Sequence, residues 1–116
     1  MIADARQEKL AENLVAYSIK VKKGDKVWID VIGESGALPA CIVRAVYRHG
    51  GMPFVNIIDK RLLREILTGA TPEMLDMWSK RDVEFMEKMD CYIGVRGDVN
   101  NYELSDVPED KMREYD

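Results

Sequence analysis

The residues best suited to nucleophilic or metal chemistry in this chain are its one histidine, His49, and its two cysteines, Cys41 and Cys91. A zinc hydrolase needs about three protein ligands around a metal that also holds a water. A single imidazole is a poor start toward that count. His49 stands immediately before Gly50, after an apolar-periodic segment, where a cation can serve the last carbonyls of a helix and the negative end of its dipole. That structural role outweighs metal ligation. A thiol nucleophile requires an activating base, and only His49 could supply an imidazole. Cys41 and Cys91 lie far apart within apolar segments, so they read as reduced core thiols rather than as a disulfide framework or a zinc knuckle.

Carboxylates offer two further constellations. Glu84, Glu87 and Asp90 recur every three residues, which on a helix would line up on one face. Lys80, Arg81 and Lys88 interleave with them, and the set reads as a solvated face. Glu34, Asp59, Arg96 and Asp98 each fall just beyond or at the end of an apolar run. In an open parallel sheet, ligands favour the crevice past the carboxyl ends of the strands. Polar loops begin there too, so position alone does not separate a pocket from a loop. The segment from Ile32 to Gly36 lacks the third glycine of a dinucleotide fingerprint and the Lys-Ser/Thr of a nucleotide loop. Met74, Met77, Met86 and Met89 cluster in one helical region, which fits core filling or an adaptable contact surface. No residue is assigned as catalytic, cofactor-binding or metal-ligating.

The elements that must carry these residues are legible in the apolar periodicity. From about Asp4 to Lys20, Leu10, Leu14, Tyr17 and Val21 recur at helical spacing, and the Lys22-Lys23-Gly24-Asp25 turn provides the stop. Lys26 to Ile32 is an apolar run and reads as a mostly buried strand. Gly33 to Gly36 form a loop. Pro39 and the Gly50-Gly51 pair bracket a second helix with proline at its start and glycine past its end, whose inner stripe is Leu38, Ile42, Ala45, Val46 and His49. Pro53 to Asp59 is a second strand.

Leu62, Leu63, Ile66 and Leu67 mark a short helix ending near Gly69. Thr71-Pro72-Glu73 caps another, on which Met74, Trp78, Phe85, Met86 and Met89 continue and which Ser79 to Asp82 could interrupt. The third strand runs from Asp90 to Arg96. Gly97 to Pro108 reads as polar loop, and a final helix begins at Pro108. Strand, helix, strand in succession predicts parallel neighbours with right-handed crossovers, hence an α/β fold with a small, mostly parallel sheet and helices on both faces.

With 116 residues, 47% hydrophobic and 33% charged, the chain fits one globular domain spanning residues 1–116. A net charge of −4 leaves no basic footprint for nucleic acid. No apolar stretch approaches the roughly 18 residues of a membrane span, and the N-terminus lacks an apolar signal core. The expectation is a cytoplasmic protein that engages neither nucleic acid nor membrane.

Read as one unit, Leu10-Ala-Glu-Asn-Leu-Val-Ala-Tyr-Ser-Ile-Lys-Val-Lys-Lys-Gly-Asp-Lys-Val-Trp-Ile29 resembles the opening of the thermophilic metalloaminopeptidases, the family of aminopeptidases T, S and II. The resemblance continues through Leu38-Pro39, Val46-Tyr47-Arg48, Gly50-Gly51-Met52-Pro53-Phe54-Val55, and Asn101 to Met112. These are scaffold features: a helix, a Lys-Gly-Asp turn, a Gly-x-Pro strand entry. Two local departures are a shorter helix before Gly50 and Ser79-Lys80 where prolines are common.

The resemblance implies the N-terminal, non-catalytic domain of a metal-dependent enzyme that releases N-terminal amino acids from peptides. It implies zinc or cobalt held by a C-terminal catalytic domain of the same parent chain, and a homodimer. None of the family's metal ligands maps onto this sequence. The resemblance further implies that the segment from Val107 to Tyr115 leads toward that catalytic domain. The alternative is a free-standing α/β module that binds a partner or ligand at its strand ends.

Overall fold

The structure, a computed structural model, describes residues 5–33 and 36–96, together with the backbone of strand 101–106. The expectations for Glu34, Asp98 and the final helix from Pro108 lie outside the described residues. In chain order the elements are α1 (Ala5–Asn13), running on as a π-helical turn (Leu14–Ser18), β1 (Lys26–Ile32), α2 (Ala37–Arg48), β2 (Met52–Ile58), α3 (Lys60–Gly69), α4 (Pro72–Met86), β3 (Cys91–Arg96) and β4 (Asn101–Asp106).

The sheet has the order β2-β1-β3-β4. β1 is parallel to both β2 and β3, in the registers Ile29↔Val55 and Ile29↔Ile93. The expected parallel α/β architecture is therefore present. The polar stretch expected to be loop contains a strand instead, β4, antiparallel to β3. An edge strand is held by backbone hydrogen bonds, which no apolar run announces, and without it β3 would expose a row of N–H and C=O groups. Because β2 and β3 leave β1 in opposite directions, same-handed crossovers put α2 on one face and α3–α4 on the other.

Alternation along β1 divides the core between those faces. Val27, Ile29 and Val31 join Leu14, Val15, Leu38, Ile42 and Ile93 in the larger cluster, beneath α1 and α2. Trp28 meets Met86, Met89 and Tyr92 on the other face, with Phe54 and Phe85 packed against them. Trp28 and Phe85 lie edge to face at 5.4 Å, and Phe54 and Phe85 at 5.7 Å.

The first helix departs from its expected phase. Ile19 N donates to Leu14 O at 3.0 Å, an i→i−5 bond that admits more residues per turn than an α-helix. Tyr17, expected on the inner stripe, is therefore 72% exposed, while Ala11 and Val15 are fully buried. Lys20 ends the helix in the left-handed region (φ 51). Gly24, expected as the stop, serves the turn before β1, where Asp25 N donates to Lys22 O at 2.9 Å. Thr71 caps α4 as expected, whereas Asp59, expected at the end of the second strand, serves as the cap of α3. Asp59 Oδ1 accepts from Arg61 N at 2.7 Å and Leu62 N at 3.2 Å to cap α3, and Thr71 Oγ1 accepts from Met74 N at 3.1 Å to cap α4. α4 runs without a break through Ser79–Asp82.

Candidate functional site

His49 follows the end of α2, its backbone N–H donating to Ala45 O at 3.1 Å, but its side chain does not turn to the last carbonyls as expected. Its ring does something the sequence did not reveal. Nε2 lies 2.6 Å from Glu12 Oε2, and Arg48 donates to Glu12 Oε1 at 2.9 Å. One turn earlier, Glu8 takes hydrogen bonds from Arg44 and, at 3.1 Å, from the Cys41 thiol. The imidazole is thus part of a ladder of polar contacts that clamps α1 to α2.

Hydrogen bonds from His49 first and Arg48 second hold the Glu12 carboxyl below its ordinary value of 4.5. A carboxyl lowered in the folded state adds stability above its unfolded value and loses it as the pH falls through the folded one. Glu12→Gln should therefore lower the urea midpoint at neutral pH, by no more than about 1 kcal/mol for so exposed a pair. The gap between variant and parent should close as the pH drops below 4.5. A gap that is constant from pH 7 to pH 3 would refute this assignment.

Both thiols are buried and neither is in a disulfide. Burial pushes Cys41 up, as does the adjacent Glu8, opposite to the lowering a nucleophile needs. Cys91 lies in the β1–β3 interface opposite Val27, its Sγ 3.8 Å from Asp25 Oδ2. Glu84 and Glu87 are exposed. Only Glu84 lies on α4; Glu87 follows its end, and Asp90 precedes β3, where its Oδ2 accepts from Lys26 N at 2.8 Å. Met86 and Met89 are core, while Met74 and Met77 are 42% and 68% exposed. Of the strand-end set, Asp59 is taken up in the α3 cap and Arg96 turns back along β3, its Nη1 4.0 Å from Asp30 Oδ2. The described members of that set do not converge.

The polar groups that do come together lie on the α4 face of the sheet, and reasoning from sequence missed them. Asp30, fully buried in the middle of β1, accepts from Asn56 Nδ2 at 3.0 Å. Both interrupt apolar runs at paired register positions, which was the available signal. Beside Asn56 opens a cavity of about 320 Å³, floored by Trp28, Phe54 and Phe85 and edged by Arg81 and Asp82. Asp82 is 5% exposed, and Arg81 Nη2 reaches its Oδ1 at 3.3 Å. The Arg81 guanidinium carbon also lies 6.0 Å from the Trp78 ring. A second groove of about 580 Å³ adjoins, between Ile57, Ile66, Met74, Met77 and Trp78.

Among the described residues no group of three or more His, Cys, Asp or Glu side chains could hold a metal ion, and no helix is long and apolar enough to cross a membrane. The fold is that of a small α/β domain wound on both sides of a central strand, with an amphipathic cleft on one face. The chain belongs to the thermophilic metalloprotease family M29, whose model matches residues 3–116. It is similar in fold to wild-type AmpT from Thermus thermophilus, with 23% sequence identity and a TM-score of 0.61, over 77% of this chain and 24% of that one. The chain thus spans about a quarter of that protein's length. No curated protein matches it.

Proposed function

We propose that this chain is the N-terminal, non-catalytic domain of a cytoplasmic metalloaminopeptidase that removes N-terminal amino acids from peptides. The divalent metal, zinc or cobalt, would be bound by a C-terminal catalytic domain of the same parent chain. The observation that carries the reading is the combination of a family match along almost the whole chain with the position of its one imidazole, His49, committed to Glu12 between two helices. A mononuclear zinc site takes about three protein ligands, and among the described residues no group of three or more His, Cys, Asp or Glu side chains gathers around His49. A covering domain still serves such an enzyme, since it shapes the cleft, limits substrate length and excludes water from the reacting centre.

The exposed apolar side chains fit that role. Leu62 and Leu67 on α3, Met74 and Met77 on α4, and Val55 and Ile57 on β2 all face solvent, although α3 is amphipathic and capped like a helix that packs. The catalytic domain or a second subunit of a homodimer would cover them. The rival reading, a free-standing binding module, is favoured only by the cleft beside Asp82.

Isothermal titration of the purified 116-residue chain with zinc, paired with a leucine-anilide hydrolysis assay, tests the proposal. Neither stoichiometric metal uptake nor turnover is expected. Tight one-to-one uptake with turnover lost in His49→Ala would show that the chain is an enzyme by itself.

A further inference from the structure

We propose that the cleft between β2 and α4 binds a free amino acid with an apolar side chain, held as its zwitterion. At about 320 Å³ the cavity lies at the small end of the range for ligand pockets, roughly 300 to 1,000 Å³. Its floor is aromatic, formed by Trp28, Phe54 and Phe85 in edge-to-face contact. Its edge carries one charge of each sign, Arg81 and Asp82, within 3.3 Å of each other.

This pairing selects among ligand classes. A simple anion drawn to Arg81 would meet the Asp82 carboxylate, and a simple cation drawn to Asp82 would meet the guanidinium. A molecule bearing an ammonium and a carboxylate on one carbon can face both, adding two charge-assisted contacts at the Arg81–Asp82 pair. Its apolar side chain then covers the aromatic floor. Burial makes the choice sharper, because Asp82 is 5% exposed and a group that approaches it must satisfy a carboxylate already largely out of solvent. The Arg81 guanidinium also lies over the Trp78 ring, 6.0 Å from its centroid. An apolar amino acid is also the product class of the peptidase reaction proposed above. The binding measurement involves no turnover, so the two readings fail separately.

The test is calorimetric titration of the intact chain with L-leucine, N-acetyl-L-leucine and L-leucinamide, followed in parallel by tryptophan fluorescence. Leucine should bind saturably at one site. The acetyl derivative, which lacks the ammonium, and the amide, which lacks the carboxylate, should each bind at least about tenfold more weakly. Arg81→Gln, an exposed position, should weaken leucine by a similar factor while leaving leucinamide unchanged. Asp82→Asn should weaken leucine and leucinamide alike. If Asp82→Asn fails to fold by circular dichroism, the three ligands on the unaltered chain still decide. No saturable signal with leucine, or equal affinity for leucine and either derivative, would overturn the proposal, as would Arg81→Gln binding leucine like the parent.

Discussion

Ile29→Ala should destabilise the domain by about 2 to 5 kcal/mol, the usual cost of removing a large aliphatic side chain from a core that cannot collapse around the gap. Ile29 is fully buried at the centre of β1, with Val55 of β2 and Ile93 of β3 in register on either side. Strands on both sides and α2 over the face leave little freedom to refill the space. Against the 5 to 15 kcal/mol typical of a whole domain, that loss is a large fraction. It should appear as a lower urea midpoint with an unchanged slope. The neighbour in register supplies the control: Val55 is 45% exposed at the open edge, and Val55→Ala should stay within about 1 kcal/mol of the parent. Equal effects at the two positions would contradict the placement of the core on the inner strands.

A second large loss is expected where helix α2 gives way to β2. A Cβ on Gly51 would stand 2.8 Å from Val21 Cγ1, 2.9 Å from Val46 Cγ1 and 3.2 Å from the Asp25 carbonyl. Two of those atoms belong to buried valines and the third to backbone hydrogen-bonded to Met52 N at 2.7 Å, so none moves freely. Gly51→Ala should therefore cost about 1 to 3 kcal/mol through overpacking. The origin can be separated from backbone effects by a double-mutant cycle. Shortening Val46 to alanine opens the space the new methyl needs, so Gly51→Ala should cost less in a Val46→Ala background than alone. Strict additivity in urea unfolding would rule out steric crowding as the cause. Gly24 offers a contrast: nothing lies within 4 Å of its would-be Cβ, but its φ of +87° makes alanine there a purely conformational penalty.

These two positions also show where reading the chain residue by residue succeeds. β1 and β3 were legible because strands buried on both faces must be nearly continuous apolar runs, and Lys26 to Ile32 and Cys91 to Arg96 are such runs. The cap of α4 was legible because Thr71 satisfies a helix N–H only a few residues along the chain. Family membership was legible for a similar reason, since the turns and caps that carry the resemblance are local.

Three features escaped for lack of a local cause. The π-helical turn reverses which of Val15 and Tyr17 faces inward, a phase shift that α-helical periodicity cannot register. β4 pairs through backbone groups common to every residue, so the sequence from Asn101 to Asp106 bears no apolar signature of a strand. The cleft depends on distance in space. Trp28, Asn56 and Asp82 come from β1, β2 and α4, and two crossovers must close before they share one cavity.

What the chain alone determined, then, is the three parallel strands, the helices between them and their direction in the sheet, all functions of neighbours within a few residues. Tertiary packing decided the rest. It gave His49 its partner, removed Asp59 and Arg96 from any shared crevice, and set a buried carboxylate beside a guanidinium over an aromatic floor. Burial and juxtaposition are properties of three-dimensional contact, and they alone turn an ordinary surface Arg-Asp pair into a candidate binding site.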